Sequence, residues 1–275
     1  MKKPGLATLP GLLTLCAIAL TMGLIPGLPP SLSRGASVIS SAVPETAFLV
    51  QTYTNREGKT LLYRLLLPHD YNATNFYPVI LYLHGAAARG QDNAEPLRWG
   101  PLLIAETGIQ HQAPFILVVP QCPKDSGWQE WGWGAIHSRN SRSLDLALDL
   151  ITNDLPRQFS IDPKRRYLTG VSMGGHAVWS VLIRQPGLFA AAVPVCAGGN
   201  SQSVTAAAAR FPVWAFHSDD DHLVPVQQAR DLVAAWRAKG GLAKYTEYTG
   251  LRHSSWKKAY TDPEMFRWLL SQHLP

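Results

Sequence analysis

Three stretches of this chain are apolar at nearly every position: Val79 to Leu83, Phe115 to Val119 and Ala190 to Val195. A strand with one face in water alternates apolar and polar residues. A run without alternation must be covered on both faces, as strands of parallel sheets are. Between and around these runs lie longer segments with helical spacing. Ser143 to Phe159 places Leu144, Ala147, Leu148, Ile151 and Leu155 on one stripe. Helices are also expected over 174–185, stopped by Pro186-Gly187, over 226–239, stopped by Gly240-Gly241, and over 263–273. Strands are expected over 48–53, 61–67, 79–83, 115–120, 167–169, 191–195, 213–216 and 245–248. The first two flank Asn55-Arg56-Glu57-Gly58 and read as an antiparallel hairpin. Strand–helix alternation thereafter implies an α/β fold: a mostly parallel eight-stranded sheet with helices on both faces.

Two parts of the chain differ in character. Lys2 and Lys3 precede a mostly apolar stretch from Leu6 to Leu28, and a Pro/Ser-rich piece follows to Ser37. Residues 1–36 therefore read as a signal peptide or, as the rival reading, a membrane anchor. Cys16 raises a lipoprotein site, but Leu15 stands before it where a small residue would be expected. Either main reading implies export to the periplasm or the exterior. Residues 45–275 read as one catalytic domain. The formal charge is +6, and Lys2, Lys3 and Arg34 carry half of it. The balance is too mild, and no basic stripe with interleaved aromatics is present, so nucleic acid is not expected as a partner. Cys122 and Cys196 lie beyond the leader and read as two buried thiols, although export would permit a disulfide. No cluster has metal-ligand spacing, and neither metal nor organic cofactor is expected.

Gly170-Val171-Ser172-Met173-Gly174-Gly175 follows the fifth expected strand and opens a helix. Reactive groups of such sheets gather at the C-terminal strand ends. A Gly-x-Ser-x-Gly stretch in that context lifts a hydroxyl from a tight turn, with helix N–H groups behind it. A serine hydroxyl needs a base and an acid to orient that base. After the seventh strand, Asp219, Asp220 and Asp221 compete; Asp221 is preferred for its Asp-x-x-Val-Pro spacing, with Asp219 next. After the eighth strand His253 follows in a loop, while His273 ends the last helix. The expected catalytic set is thus Ser172, Asp221 and His253. An oxyanion would be held by the N–H groups of Met173 and Ala86, the latter in the small-residue loop Gly85 to Ala88. His84 is expected to shape that loop and not to carry protons. Trp128, Trp131 and Trp256 are candidates for an aromatic substrate wall, against the alternative of loop packing. His176 and Arg139 are weaker candidates for substrate contact.

Together these stretches resemble the α/β-hydrolase superfamily over residues 45–275. Within it they resemble the esterase branch near dienelactone-hydrolase-like proteins, polyhydroxybutyrate-depolymerase-like and feruloyl esterases, and predicted peptidases. The residues that carry the resemblance are Leu83 to Ala86 with Arg89-Gly90 and Asp92-Asn93, Pro120 to Pro123, Gly170 to Gly175, His217 to Pro225, and His253 to Trp256. Three departures stand out. Ala87-Ala88 replaces a common Gly-Glu, Ser218 replaces a usual Gly, and Ser172 stands where true dienelactone hydrolases have cysteine. The resemblance implies a serine hydrolase of carboxylic esters, small or polymer-linked, and no insertion long enough for a large lid lies between the sixth and seventh expected strands. A peptidase on the same residues and a non-catalytic binding domain are the alternatives.

Overall fold

The computed structural model describes residues 43–128 and 142–275. Its eight strands are β1 (Leu49–Thr54), β2 (Thr60–Leu66), β3 (Tyr77–Leu83), β4 (Ile116–Pro120), β5 (Ile161–Val171), β6 (Ala191–Val195), β7 (Val213–Ser218) and β8 (Ala243–Tyr248). Nine α-helices are described: α1 (Pro101–Glu106), α2 (Ile109–Gln112), α3 (Arg142–Asp149), α4 (Leu155–Gln158), α5 (Met173–Arg184), α6 (Ala206–Ala209), α7 (Val226–Ala238), α8 (Ser255–Ala259) and α9 (Pro263–Leu270).

The strands form one open sheet in the order β1-β2-β4-β3-β5-β6-β7-β8. β1 and β2 pair antiparallel, as do β2 and β4; every later pair is parallel. The hairpin turn is set locally. The Asn55 side chain accepts from the N–H groups of Glu57 and Lys59, and Gly58 adopts φ 76°. From β3 the chain steps to β4 on one side and then to β5 on the other. The connections after β3 and β5 diverge there and leave a crevice at the strand ends.

The unalternating apolar runs serve two separate cores. Val79, Leu81 and Leu83 of β3 pack on one face, with Ala147 of α3, Leu155 of α4, Val178 of α5, Ala208 of α6 and Leu232 of α7. Ile80 and Tyr82 pack on the other, with Ile104 of α1, Ile109 of α2, Ala259 of α8 and Phe266 of α9. β4 divides the same way, Ile116 and Val118 against Leu117 and Val119.

Two expectations need amendment. β5 starts at Ile161, six residues before the apolar run, and its early part pairs with β3 through a register shift between Tyr77 and Val79. The helix expected over 143–159 is interrupted by a wider π turn at Leu150–Asp154 before α4. Its predicted stripe is nevertheless buried throughout. The β6–β7 connection carries only a 3-10 turn at Ser201–Ser203 and the one-turn α6. The expected leader, residues 1–36, lies outside the described residues. Among the described residues no helix is long and apolar enough to cross a membrane.

Candidate active site

Ser172 sits between the last residue of β5 and the first of α5, at φ 54° and ψ −117°. L-residues rarely adopt this backbone, which costs on the order of 1–3 kcal/mol. The surroundings enforce it. The Ser172 N–H donates to the Val195 carbonyl at 3.0 Å, and its own carbonyl accepts from His176 N–H at 2.9 Å. The flanking glycines are needed for space. A Cβ at Gly174 would lie 1.9 Å from the Leu83 carbonyl oxygen, and one at Gly170 would lie 2.8 Å from the same atom. Helix α5 thus starts in contact with the end of β3, which a side chain would prevent.

Two other loops reach this hydroxyl. His253 lies in a 3-10 turn, Arg252–Ser254, after β8. Its Nε2 is 2.8 Å from Ser172 Oγ, and its Nδ1 is 2.7 Å from Asp221 Oδ2. With Nδ1–H donating to the carboxylate, Nε2 is left as the acceptor of a hydrogen bond from the serine hydroxyl. Asp221 follows β7. Its Oδ1 accepts from the N–H groups of Leu223 and Val224, at 2.9 and 3.0 Å. Its Oδ2 also lies 3.2 Å from Nε2 of the fully buried His217. Burial alone would raise the Asp221 carboxyl. Hydrogen bonds from His217, His253 and the Val224 N–H outweigh it and hold the group well below the usual carboxylate range. The carboxylate therefore stays charged and orients the imidazole. Asp219 points elsewhere and accepts from the Thr249 hydroxyl at 3.0 Å.

The loop after β3 flanks the serine. A Cβ on Gly85 would lie 3.5 Å from Ser172 Cβ, and Ala86 opens a 3-10 turn, Ala86–Ala88. Among the described residues neither the Ala86 nor the Met173 N–H donates to an acceptor. His84 anchors this loop from below. Its Nε2 accepts from the Cys122 N–H at 2.9 Å, and its Nδ1–H donates to the Gly85 carbonyl at 2.7 Å. Burial pushes the ring down to about 4, so it is neutral near pH 7. Gln121 ties the same loop to β4, donating to the Ala88 carbonyl at 3.0 Å and accepting from Asn93 N–H at 2.6 Å.

Neither described member of the aromatic wall expected from the sequence presents a face to a substrate. Trp128 is a correction: it is fully buried, its indole N–H donates to the His84 carbonyl at 2.8 Å, and its ring meets His84 edge-on. It supports the loop after β3 and offers no surface to a substrate. Trp256 is 6% exposed and packs 5.8 Å from Trp99, so it too is mainly packed. Trp131 and Arg139 lie outside the described residues. Cys122 and Cys196 are free and buried, at the ends of β4 and β6 with β3 and β5 between them. Among the described residues no group of three or more metal-ligating side chains converges.

Sequence reasoning weighed Asp220 only as a rival to Asp221 and gave His217 and Ser218 no role beyond the family resemblance. Each is a polar residue at or just past a strand end, on the side of the sheet where Ser172 lies. That position was the available signal.

The Esterase family model, described as "Putative esterase", matches residues 54–236, about two thirds of the chain. A solved thermostable esterase is 35% identical, covering 83% of this chain and 64% of its own, with a TM-score of 0.75. Dipeptidyl-peptidase 5 of Porphyromonas endodontalis is 28% identical over 126 residues, 44% of this chain and 17% of that protein. The bifunctional acetylxylan esterase/xylanase XynS20E of Neocallimastix patriciarum is 24% identical over 172 residues, 62% of this chain and 23% of that protein. The chain thus spans less than a quarter of the length of these curated relatives. The open sheet with helices on both faces is the fold of the solved neighbours. The chain is a member of the esterase family within the α/β hydrolases.

Proposed function

We propose that this protein hydrolyses carboxylic esters through an acyl-enzyme on Ser172. The carrying observation is the unbroken hydrogen-bonded chain from Ser172 Oγ through His253 to Asp221, at 2.8 and 2.7 Å. His253 Nε2 takes the hydroxyl proton as Oγ attacks the carbonyl carbon. The electron pair displaced onto the carbonyl oxygen faces the Met173 and Ala86 N–H groups, each of which stabilises it. Collapse of the intermediate breaks the bond to the alcohol oxygen, and His253 returns its proton to that oxygen. Water then attacks the acyl-enzyme, giving its proton to His253. The carboxylic acid leaves, and Oγ recovers its proton. Asp221 stays ionised throughout and stabilises the imidazolium.

A second reading, peptide hydrolysis, is favoured by the similarity to dipeptidyl-peptidase 5. The same groups would act on an amide. The esterase family and the thermostable esterase argue for the ester. Similarity to an acetylxylan esterase makes esters on a carbohydrate polymer a sensible class to include.

The test compares p-nitrophenyl acyl esters with dipeptidyl p-nitroanilides and follows labelling by a fluorophosphonate. Ester turnover and labelling are expected, both lost in Ser172→Ala. Labelling that survives this substitution would sink the assignment. Turnover of the anilides alone would establish the peptidase reading.

A further inference from the structure

The base candidate His253 is carried by a loop, and loops are the mobile parts of such folds. Two consecutive backbone N–H groups just before it are nevertheless captured. The Leu251 N–H donates to Ser218 Oγ at 3.1 Å. The Arg252 N–H donates to Asp220 Oδ1 at 2.8 Å. The two acceptors are themselves joined, because the Ser218 hydroxyl donates to Asp220 Oδ1 at 2.6 Å. Asp220 and Arg252 immediately precede Asp221 and His253, while Ser218 and Leu251 lie three and two residues ahead of them. The end of β7 with its following loop and the β8–α8 loop are therefore latched within three residues of the pair that must meet, the Asp220–Arg252 bond one residue ahead of it.

The latch also acts on backbone shape. Arg252 holds φ 49°, a conformation unfavourable for a residue with a side chain. Its N–H bond to Asp220 is the contact that fixes this residue. Released, Arg252 would relax toward negative φ and swing the next residue, His253. The bond from Asp219 to the Thr249 hydroxyl adds a third tie between the loops but lies farther from the histidine.

We propose that Ser218 and Asp220 form a positioning pair that sets the His253 ring between Asp221 and Ser172. Neither touches substrate; both act through the loop backbone. The proposal rests on His253 being the base. Asp220 works here as a hydrogen-bond acceptor and not through its charge, so an amide oxygen can replace it.

The test uses Asp220→Ala, Asp220→Asn and Ser218→Ala. A misplacement near 1 Å costs up to about 100-fold in rate, so Asp220→Ala is expected to lower kcat for a p-nitrophenyl ester about 10- to 100-fold with KM changed less than about twofold. Asp220 is exposed, so Tm should move by no more than about 2 °C. Ser218→Ala should lower kcat in the same direction. Asp220→Asn keeps the acceptor and should stay within about threefold of the parent, on the same argument from geometry. The downfield proton resonance of the His253 Nδ1–H provides a readout free of turnover, expected to broaden or vanish in Asp220→Ala and persist in Asp220→Asn. Full kcat and an unchanged resonance in Asp220→Ala would overturn the proposal. So would an Asp220→Asn variant as impaired as Asp220→Ala. Failure of the parent protein to be labelled at Ser172 would defeat the proposed function instead, and the resonance would still report on the latch.

Discussion

The run Asp219-Asp220-Asp221 shows how much chemistry three identical neighbours can divide among themselves. Each carboxylate is directed by the turn to a different partner: a threonine hydroxyl, a backbone N–H and an imidazole. Only Asp221 has no exposed side-chain surface; it accepts from the His253 ring and two backbone N–H groups, and a second ring, His217, lies 3.2 Å away. The substitution Asp221→Asn keeps the Oδ1 acceptor for Leu223 and Val224 but turns an amide group toward His253. The imidazole then loses its orienting acceptor and its preferred tautomer. The expected result is a fall in kcat of about 10³–10⁴-fold with little change in KM. Asp219→Asn should change kcat less than about twofold, in line with the small effects of exposed substitutions. Steady-state kinetics on one ester decides both, and an equal loss in the two variants would refute the division of labour. The sequence suggested Asp221 through its spacing to Val224-Pro225. It put Asp220 forward only as a rival for the same place and could not reveal its own partner, a backbone N–H thirty-two positions away that leaves no trace in residue type.

At the scale of elements, the junction of β5 and α5 is where packing leaves least freedom. Gly170 and Gly174 face backbone atoms of β3, its following residue and α5, and not flexible side chains, so the neighbours cannot yield. Gly174→Ala drives a methyl group into the Leu83 carbonyl. The β3 end or the start of α5 must then move, at a cost of about 3 kcal/mol or more. The expected drop in Tm is about 10 °C for a chain of this size, with loss of fluorophosphonate labelling because the serine turn is displaced. Unchanged melting by calorimetry would show that the contact is softer than described. The same region marks the limit of what patterns can reveal. All eight strands were legible where side chains were apolar, and so was the serine turn with its glycines. The first half of β5 was not, because Asp162 to Arg166 are polar and include Pro163; the segment pairs through a bulge, and Asp162 is occupied by the Arg165 guanidinium and the Lys164 N–H. The π turn after α3 was likewise invisible, since a widened turn keeps the same residues buried. Short helices such as α1, α2 and α8 carry too few residues to show a period. Trp128 was misassigned for a related reason: an aromatic beside a site can serve it from behind, and composition does not say which side it takes.

For the molecule as a whole, acid stability follows from histidines buried near the site. Burial pushes His84 and His176 from an ordinary 6.5 to about 4 in the folded state. Between those values the unfolded chain takes up protons that the folded one refuses. Stability therefore falls as pH falls from about 6.5 to about 4, by roughly 3 kcal/mol for the fully buried His84 alone. Asp221 acts in the same direction at lower pH. Its carboxyl is depressed when folded, so its contribution is present above the ordinary 3.8 and is lost below it. Thermal melts from pH 7 to pH 3.5 should show a continuous decline that begins near 6.5. A flat profile down to pH 4.5 would mean the rings accept protons inside the fold. The turn at Ser172 bears on the molecule in another way. Glycine at this position would relieve the backbone conflict and remove the hydroxyl in a single change. Any redesign guided by folding energy alone will choose that glycine, so a sturdier version of this protein and a working one diverge at this position and have to be weighed against each other there.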